Sequence, residues 1–378
     1  MPSPPRVLFV SKPIVPPWHD GSKNLVRDVA AHLSRARPTV LTTAGATSIG
    51  ARVNAEPIYR SAGRFAPGIA ANARVLARLL TGDAHDVWHF VSAPNPAASS
   101  AARLARVARR MLGWKGRIVQ TVASAPREFD GVASLLFGDV VVTLSEWTRA
   151  RLIGEGVDAS ALRVIFPCAA APPRPTDDAV HRARARYGLG SAKVVLYPGD
   201  YEISTGARTF ADAIKVLAPD APDVVFVYAC REKTPRAGDA REKLKAELAA
   251  VGLTSRVRHV GEIDDPPALT VASSVVAFPV DDLYGKVDLP LVLLEALALG
   301  VPLVLARGGP LETLGAASFV DPGDGVALAA EIAALLVNDD RAREHAVRGK
   351  DLYSRSFTPQ VVADQYDDLY EEIFTENR

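Results

Sequence analysis

The sequence predicts an α/β protein made of two doubly wound parallel sheets. Three observations carry that prediction. Short apolar runs alternate with stretches of helical period along the chain. The alternation breaks at residues 168–175, Cys-Ala-Ala-Ala-Pro-Pro-Arg-Pro, and then begins again. At 378 residues the chain is also too long for one ordinary core. The expected layout is a first domain over residues 1–170, a partly helical linker over 171–185 and a second domain over 186–358. A last helix runs from about 359 to 378.

The first half opens with an apolar run, Arg6–Val10, read as a buried strand. A Pro-rich loop follows and ends in Trp18-His19-Asp20-Gly21-Ser22. A helix beginning near Lys23 places Leu25, Val26, Val29 and Leu33 at helical spacing. Further strands are expected over 38–43, 87–91, 117–122, 140–144 and 163–166. Helices are expected over 69–80, 97–111 and 146–154. In such sheets ligands sit beyond the carboxyl ends of the strands. That rule singles out Gly21, His89, Ser92 to Asn95, Gln120 to Arg127 and Ser145. A lone His inside an apolar strand also fits a packed core residue.

The second half repeats the pattern. Strands are expected over 194–197, 224–229, 256–260 and 275–279, with helices over 209–217, 240–251 and 267–272. The central stretch is 281–315, DDLYGKVDLPLVLLEALALGVPLVLARGGPLETLG. Pro290 suits the first position of a helix, where its missing N–H costs nothing. Leu291–Leu299 is apolar nearly all round except for Glu295. Gly300 supplies a left-handed stop, and a buried strand follows over 301–306. Arg307, Gly308, Gly309 and Pro310 then lead into a second helix start. Two helix N-termini beside strand ends suit an anion such as a diphosphate. A carboxylate among leucines needs donors. Sugar hydroxyls would serve Glu295; so would a local cap or pair. The remaining expected elements are a strand over 318–320 and helices over 325–337, 341–354 and 359–374.

Composition narrows the class. Apolar residues make up 48% and charged residues 23%, as in soluble globular proteins. A net charge of +1 gives no reason to expect a nucleic-acid partner. Cys168 and Cys230 stand far apart and fit neither metal spacing nor a disulfide framework, so a cytoplasmic setting is expected. The opening apolar run is too short for a signal peptide, and no run of 18 or more apolar residues occurs. Lys23, Arg27 and Arg35 beside Asp28 make a thin case for contact with the inner face of a membrane. The Ala- and Arg-rich composition is that of a high-GC bacterial genome.

Ser145-Glu146-Trp147-Thr148, Val164-Ile165-Phe166-Pro167, Tyr197-Pro198-Gly199, His259-Val260-Gly261 and above all residues 291–312 resemble the retaining nucleotide-sugar glycosyltransferases of family four, the glycosyl transferases group 1. The resemblance covers nearly the whole chain. It implies the GT-B fold, two Rossmann-like domains facing a cleft, with the last helix crossing back to the first domain. It implies a nucleoside-diphosphate sugar as co-substrate, no other cofactor and no metal. The acceptor, a glycan, lipid or small molecule, would bind the first domain around Trp18, His19, Gly21 and Ser22, a loop that would also touch the diphosphate. The donor would bind the second around Gly199, Arg208, Arg231, Lys286, Leu291, Glu295, Gly308 and Gly309. Glu295 would hold the ribose.

The family pattern is also broken in places. Its paired glutamates are eight positions apart, which puts Val287 where a carboxylate belongs; Asp288 is next door. Its diphosphate-binding arginine and lysine fall on Asp200 and Thr205. Lys286 is the first candidate to replace that charge, with Arg208, Arg231, Lys233 and Arg307 behind it. A histidine usual in the strand over 117–122 is missing, Gln120 and Ser124 stand near its place, and His89 would replace it in part. The catalytic set expected on this basis is His89, Lys286 and Asp288. Asp200, Thr205 and Val287 equally suit a degenerate scaffold that binds a nucleotide sugar or a partner and transfers nothing. A nucleotide-sugar epimerase is a third reading, with Glu128, Asp130 and Glu262 as its carboxylates.

Overall fold

A computed structural model describes residues 4–62, 68–232 and 234–375. The chain divides into two compact units. One holds the described residues up to Ala170, the segment Tyr284–Leu291 and the chain from Ser356 on; the other holds Ala171–Leu283 and Val292–Arg355.

The first unit contains strands β1 (Arg6–Val10), β2 (Arg37–Thr43), β3 (Asn54–Tyr59), β4 (Val87–Ser92), β5 (Arg117–Val122), β6 (Val140–Thr143) and β7 (Leu162–Val164). They form one sheet in the order β3-β2-β1-β4-β5-β6-β7, every pair parallel. Helices α1 (Gly21–His32), α2 (Ile69–Thr81), α3 (Pro96–Met111) and α4 (Glu146–Gly154) make the crossovers. Alternate residues of a strand face opposite ways, and both faces here are covered. Val7 and Phe9 join one core with Leu25, Val26 and Val29 of α1. Leu8 and Val10 join the other with Trp88 and Phe90. That is why these strands read as continuous apolar runs.

The second unit repeats the plan with β8 (Lys193–Tyr197), β9 (Val224–Tyr228), β10 (Val257–His259), β11 (Val275–Phe278), β12 (Leu303–Ala306) and β13 (Ser318–Val320). Their order is β10-β9-β8-β11-β12-β13, again all parallel. Its helices are α5 (Asp177–Arg186), α6 (Gly206–Leu217), α7 (Pro235–Ala250), α8 (Pro266–Val271), α9 (Leu291–Leu299), α10 (Gly325–Val337) and α11 (Asp339–Ser356). Tyr197, Phe210, Phe226, Tyr228 and Phe278 are all buried in it. A Cβ on Gly206 would lie 2.8 Å from Val280 Cγ2, so only glycine lets α6 start this close to the strand ends. Gly300 has φ +76°, the left-handed stop expected there.

Helix α12 (Pro359–Thr375) returns to the first unit and packs along α1. Val362, Ala363, Tyr366, Leu369, Tyr370 and Ile373 make its buried stripe, spaced three and four apart as one helix face requires. Two differences from the sequence reading stand out. β3 escapes the periodicity because it is an edge strand, mostly exposed and carrying Pro57, which such edges tolerate. The helix expected after Gly309 is a four-residue 3-10 turn, Pro310–Thr313.

Asp367 fixes the returning helix. Its carboxylate is fully buried and accepts from the backbone N–H of Ser34 (2.7 Å), Arg35 (2.9 Å) and Ala36 (2.9 Å). Removing it takes the acceptor from three backbone donors, that of Ala36 buried and the other two partly so. Asp367→Ala is expected to lower the unfolding free energy by about 2–4 kcal/mol, read from denaturant titration, whereas Asp368→Ala on the exposed face should change it by less than about 1 kcal/mol.

Candidate active site

Both sheets reverse direction beside their first strand, and the loops leaving the carboxyl ends there form a crevice. In the second unit these loops are 198–205, after β8, and 279–283, after β11. They are tied together: Asp281 Oδ1 accepts from Thr205 N–H at 2.9 Å. Asp200 is buried and its Oδ1 accepts from Ile203 N–H at 2.8 Å. The two positions where the resemblance expects cations are thus a turn-forming carboxylate and an uncharged residue heading α6.

Beside this crevice stands an aromatic stack that sequence reasoning did not single out. Tyr228 and His259 stack with their rings nearly parallel, centroids 4.8 Å apart, and Tyr201 continues the stack 5.8 Å from Tyr228. The Tyr201 hydroxyl bonds His259 Nδ1 at 2.9 Å. Burial, with Lys245 and Arg241 adding to it, pushes the His259 imidazole down to about 4. The signal was the position: Tyr228 and His259 each close a strand and Tyr201 follows one closely, on the edge where ligands bind.

Glu295 sits in the second turn of α9, half-buried, while Leu293, Leu294, Ala296, Leu297 and Leu299 of the same helix are buried. Gly308 is exposed with φ +84° and Gly309 half-buried; both follow β12. Gly199 follows β8, and Arg231 is half-buried after β9. Other candidates are committed elsewhere. Arg208 pairs with Glu247 and Asp212 on an exposed face of α6. Arg307 pairs with Asp321 at 3.1 Å. Lys233 lies outside the described residues. With α9 opening directly after the buried Pro290 and Pro310 opening only a 3-10 turn, one helix start remains of the two expected.

In the first unit the loop after β1 closes on itself. Asp20 caps α1: its Oδ1 accepts from Ser22 N–H (3.0 Å), Lys23 N–H (3.3 Å) and Ser22 Oγ (2.6 Å), and Lys12 Nζ donates to Oδ2 at 2.5 Å. Burial pushes this carboxyl up, but Lys12 and Ser22 outweigh it and the net shift is down. Of the amides in the loop expected to meet a phosphate, that of Ser22 already holds an anion, as does that of Lys23. Lys23 is buried, donates to Pro17 O at 3.3 Å and stands 5.6 Å over the Trp18 ring, with the Arg27 guanidinium at 4.8 Å. Burial lowers its pKa against the pull of Asp20. His19 is exposed. A Cβ on Gly21 would come within 3.1 Å of Val287, so this glycine serves a close chain approach.

Val287 belongs to the segment Tyr284–Leu291, which packs into the first unit. Tyr284 lies under the Arg127 guanidinium at 4.8 Å, Gly285 has φ +72°, and Lys286 is half-buried. Leu291 packs against the first-unit core. Asp288 is 2% exposed, and its Oδ2 accepts from Ser145 Oγ (2.5 Å) and Thr148 Oγ1 (2.6 Å). Burial pushes its pKa up, with the two hydroxyls opposing.

The expected catalytic roles of His89 and Asp288 are corrected by this geometry. Both side chains are sealed from solvent and spent on internal bonds. His89 bonds Tyr370 Oη through Nδ1 (2.6 Å) and Thr121 Oγ1 through Nε2 (2.7 Å); burial pushes it down to about 3. Gln120 likewise faces inward, its Oε1 accepting from Phe137 N–H at 2.8 Å. Among the described residues no group of His, Cys, Asp or Glu is placed to hold a metal ion.

Comparison with known proteins fits this picture. The family described as Glycosyl transferases group 1 matches residues 192–338. The GDP-mannose-dependent alpha-(1-6)-phosphatidylinositol monomannoside mannosyltransferase of Mycolicibacterium smegmatis is 28% identical over 286 residues, 71% of this chain and 71% of that protein. A D-inositol 3-phosphate glycosyltransferase of Salinispora tropica is 32% identical over 175 residues, 44% of this chain and 35% of that one. The crystal structure of Anabaena HepE in complex with UDP-glucose superposes with a TM-score of 0.76, covering 97% of this chain and 100% of that chain at 18% identity. That last likeness concerns the fold. Fold and matched segment together define a glycosyltransferase of the GT-B class. Within that class the likeness is to the group 1, or family-four, type, and its match spans residues 192–338.

Two expectations follow for the corrected residues. Asp288→Asn keeps an acceptor oxygen for both hydroxyls, so folding and turnover should be nearly unchanged; a loss of turnover above about a hundredfold in the folded variant would restore a catalytic carboxylate there. His89 is neutral in the folded chain, while its unfolded imidazole gains a proton below about pH 6.5. Stability is therefore fully present above that pH and falls by about 1.4 kcal/mol per unit toward pH 3 from this residue alone. His89→Gln should flatten that part of the stability–pH curve, measured by denaturant unfolding at pH 7 and pH 5.

Proposed function

We propose that the chain moves a sugar from a nucleoside-diphosphate sugar to an acceptor hydroxyl with retention and without a metal. Glu295 carries this reading: a half-buried carboxylate on an otherwise apolar helix, inside the matched segment. It holds the ribose hydroxyls, which return its lost hydration as charge-assisted bonds. The half-buried His259 ring, backed by the buried Tyr228 and Tyr201, is placed to meet the base. Gly308 and Gly309 let backbone approach the sugar and phosphates closely. The acceptor oxygen bonds to the anomeric carbon as the bond to the diphosphate breaks, and the hydroxyl proton passes to the departing phosphate oxygen. Lys286 supplies positive charge to that leaving group.

The acceptor side is read from the first unit. Lys12, paired with Asp20, puts a part-exposed cation on the loop around Trp18. The two curated relatives above are named for inositol-phosphate-containing acceptors. Together these support an acceptor bearing an anionic group. A second reading, a scaffold that binds a sugar nucleotide without transfer, is favoured by the carboxylates Asp200 and Asp281 in the second-unit crevice.

A panel of nucleotide sugars, assayed for released nucleoside diphosphate and for product, separates the two. Turnover with one donor is expected; nucleotide binding with no turnover for any donor would favour the scaffold. Glu295→Ala should weaken nucleoside diphosphate binding by about 1–3 kcal/mol, measured by calorimetry, and an unchanged affinity in the folded variant would remove the ribose assignment. Lys286→Ala should lower turnover while leaving the unfolding midpoint in place; normal turnover would assign the leaving-group charge to another residue.

A further inference from the structure

Helix α3 is turned inside out. The residues it buries are small, Ser99, Ala102 and Ala105. The large ones point outward: Leu104 is 58% exposed, Val107 59% and Met111 84%, with Leu112 just past the helix at 74%. Leu104, Val107 and Met111 fall within one narrow arc of the helix surface, since their spacings are three and four. A surface helix of a globular domain ordinarily does the reverse. An exposed contiguous apolar face of this kind marks a surface that meets something.

Charge says what it meets. From residue 87 to residue 127 the chain carries seven Lys or Arg and no Asp or Glu, in a protein of net charge +1. Four of the seven are on α3. Arg103 donates to the carbonyls of Ser134 (2.7 Å) and Leu136 (2.9 Å), and Arg110 to that of Gly116 (3.4 Å). Carbonyls orient a guanidinium and leave its charge uncancelled. Arg106 is paired with Asp139; Arg103 and Arg110, both exposed, run along one side of the apolar arc. The cations expected to serve this purpose on α1 are otherwise engaged. Lys23 is buried, Arg27 is bound to Asp28, and Arg35 to Asp368 and Glu371.

We infer that the outward face of α3 binds the surface of an anionic phospholipid bilayer, with Leu104, Val107 and Met111 entering the acyl boundary and Arg103 and Arg110 among the headgroups. An apolar ridge with cations along its edge is the pattern of an interfacial helix. A bilayer needs no shape-matched groove. A second copy of the same face would bring like charges together around the apolar contact, which disfavours it. The inference is independent of the donor site, and no helix of the described residues is long and apolar enough to span a membrane, so the attachment is peripheral.

The test is flotation of the full chain with phosphatidylcholine vesicles, with and without phosphatidylglycerol, at low and at raised salt. Binding to the anionic vesicles alone, weakened by salt, is expected. The triple variant Leu104→Ser, Val107→Ser, Met111→Ser and the double variant Arg103→Glu, Arg110→Glu should each lose about tenfold or more of it. All five side chains are exposed, so circular dichroism and the melting midpoint report whether each variant is folded. Equal binding to neutral vesicles, no binding by the wild-type chain, or unchanged binding by both folded variants would overturn the proposal. A lipid-free dimer abolished by the triple variant, with no vesicle binding, would assign the face to self-association instead.

Discussion

Both sheets are parallel and covered on two faces, and nearly everything else follows from that. A parallel strand pair needs a crossover, and the crossovers here are helices that bury the strands. Backbone groups inside are satisfied by the ladders. Irregular loops, with polar groups to spare, are confined to the strand ends. The order 3-2-1-4-5-6, shared by the six strands of the second sheet and the first six of the other, opens a crevice beside the first strand of each. The loop around Trp18, the loop after β8 and the start of α9 are where they are because the sheets leave nowhere else for them.

The crevice loops use carboxylates to hold themselves in shape. Asp20 caps α1, Asp200 closes its own turn, and Asp281 reaches across to Thr205. Each gives up solvation for backbone N–H bonds, which are strong when charge-assisted. The same amides in many phosphate-binding loops are kept for the ligand. Asp288 shows the related case away from backbone: two hydroxyls from α4 and its cap hold it, and with it the segment Tyr284–Leu291 in the first unit. A chain segment that joins a unit remote in sequence needs such a specific polar anchor, because apolar contacts alone fix no register.

The architecture was legible because it rests on periodicity. Apolar runs such as 194–197 and helix faces such as Val362, Tyr366 and Ile373 announce their burial directly. The β3 strand was not, since an exposed edge with a proline carries no alternation. The site was legible in outline only. Glu295, Gly308 and Gly309 could be placed at strand ends from the pattern. That His89 and Asp288 would be sealed could not, because Tyr370 and Ser145 are distant in sequence and nothing local announces the meeting. Asp20 did carry a local sign, an acidic residue two before the serine of a helix start, but the choice between capping and ligand binding is made in three dimensions. The outward side chains of α3 are the converse: the helix was expected, and its orientation was decided by which face its alanines let approach the sheet.

The return of α12 to the first unit bears on how the molecule is made. With the rest of the α12 stripe, Tyr366 and Tyr370 complete a core whose other members, Val287 apart, lie before Ala170, and the whole of the second unit is translated in between. On the ribosome the early strands must wait, with one apolar surface uncovered, until that helix emerges. Such long-range closure slows folding and prolongs exposure to aggregation. The second unit, contiguous but for one short excursion, can condense first, and during synthesis the older half of the polypeptide is the one that matures last.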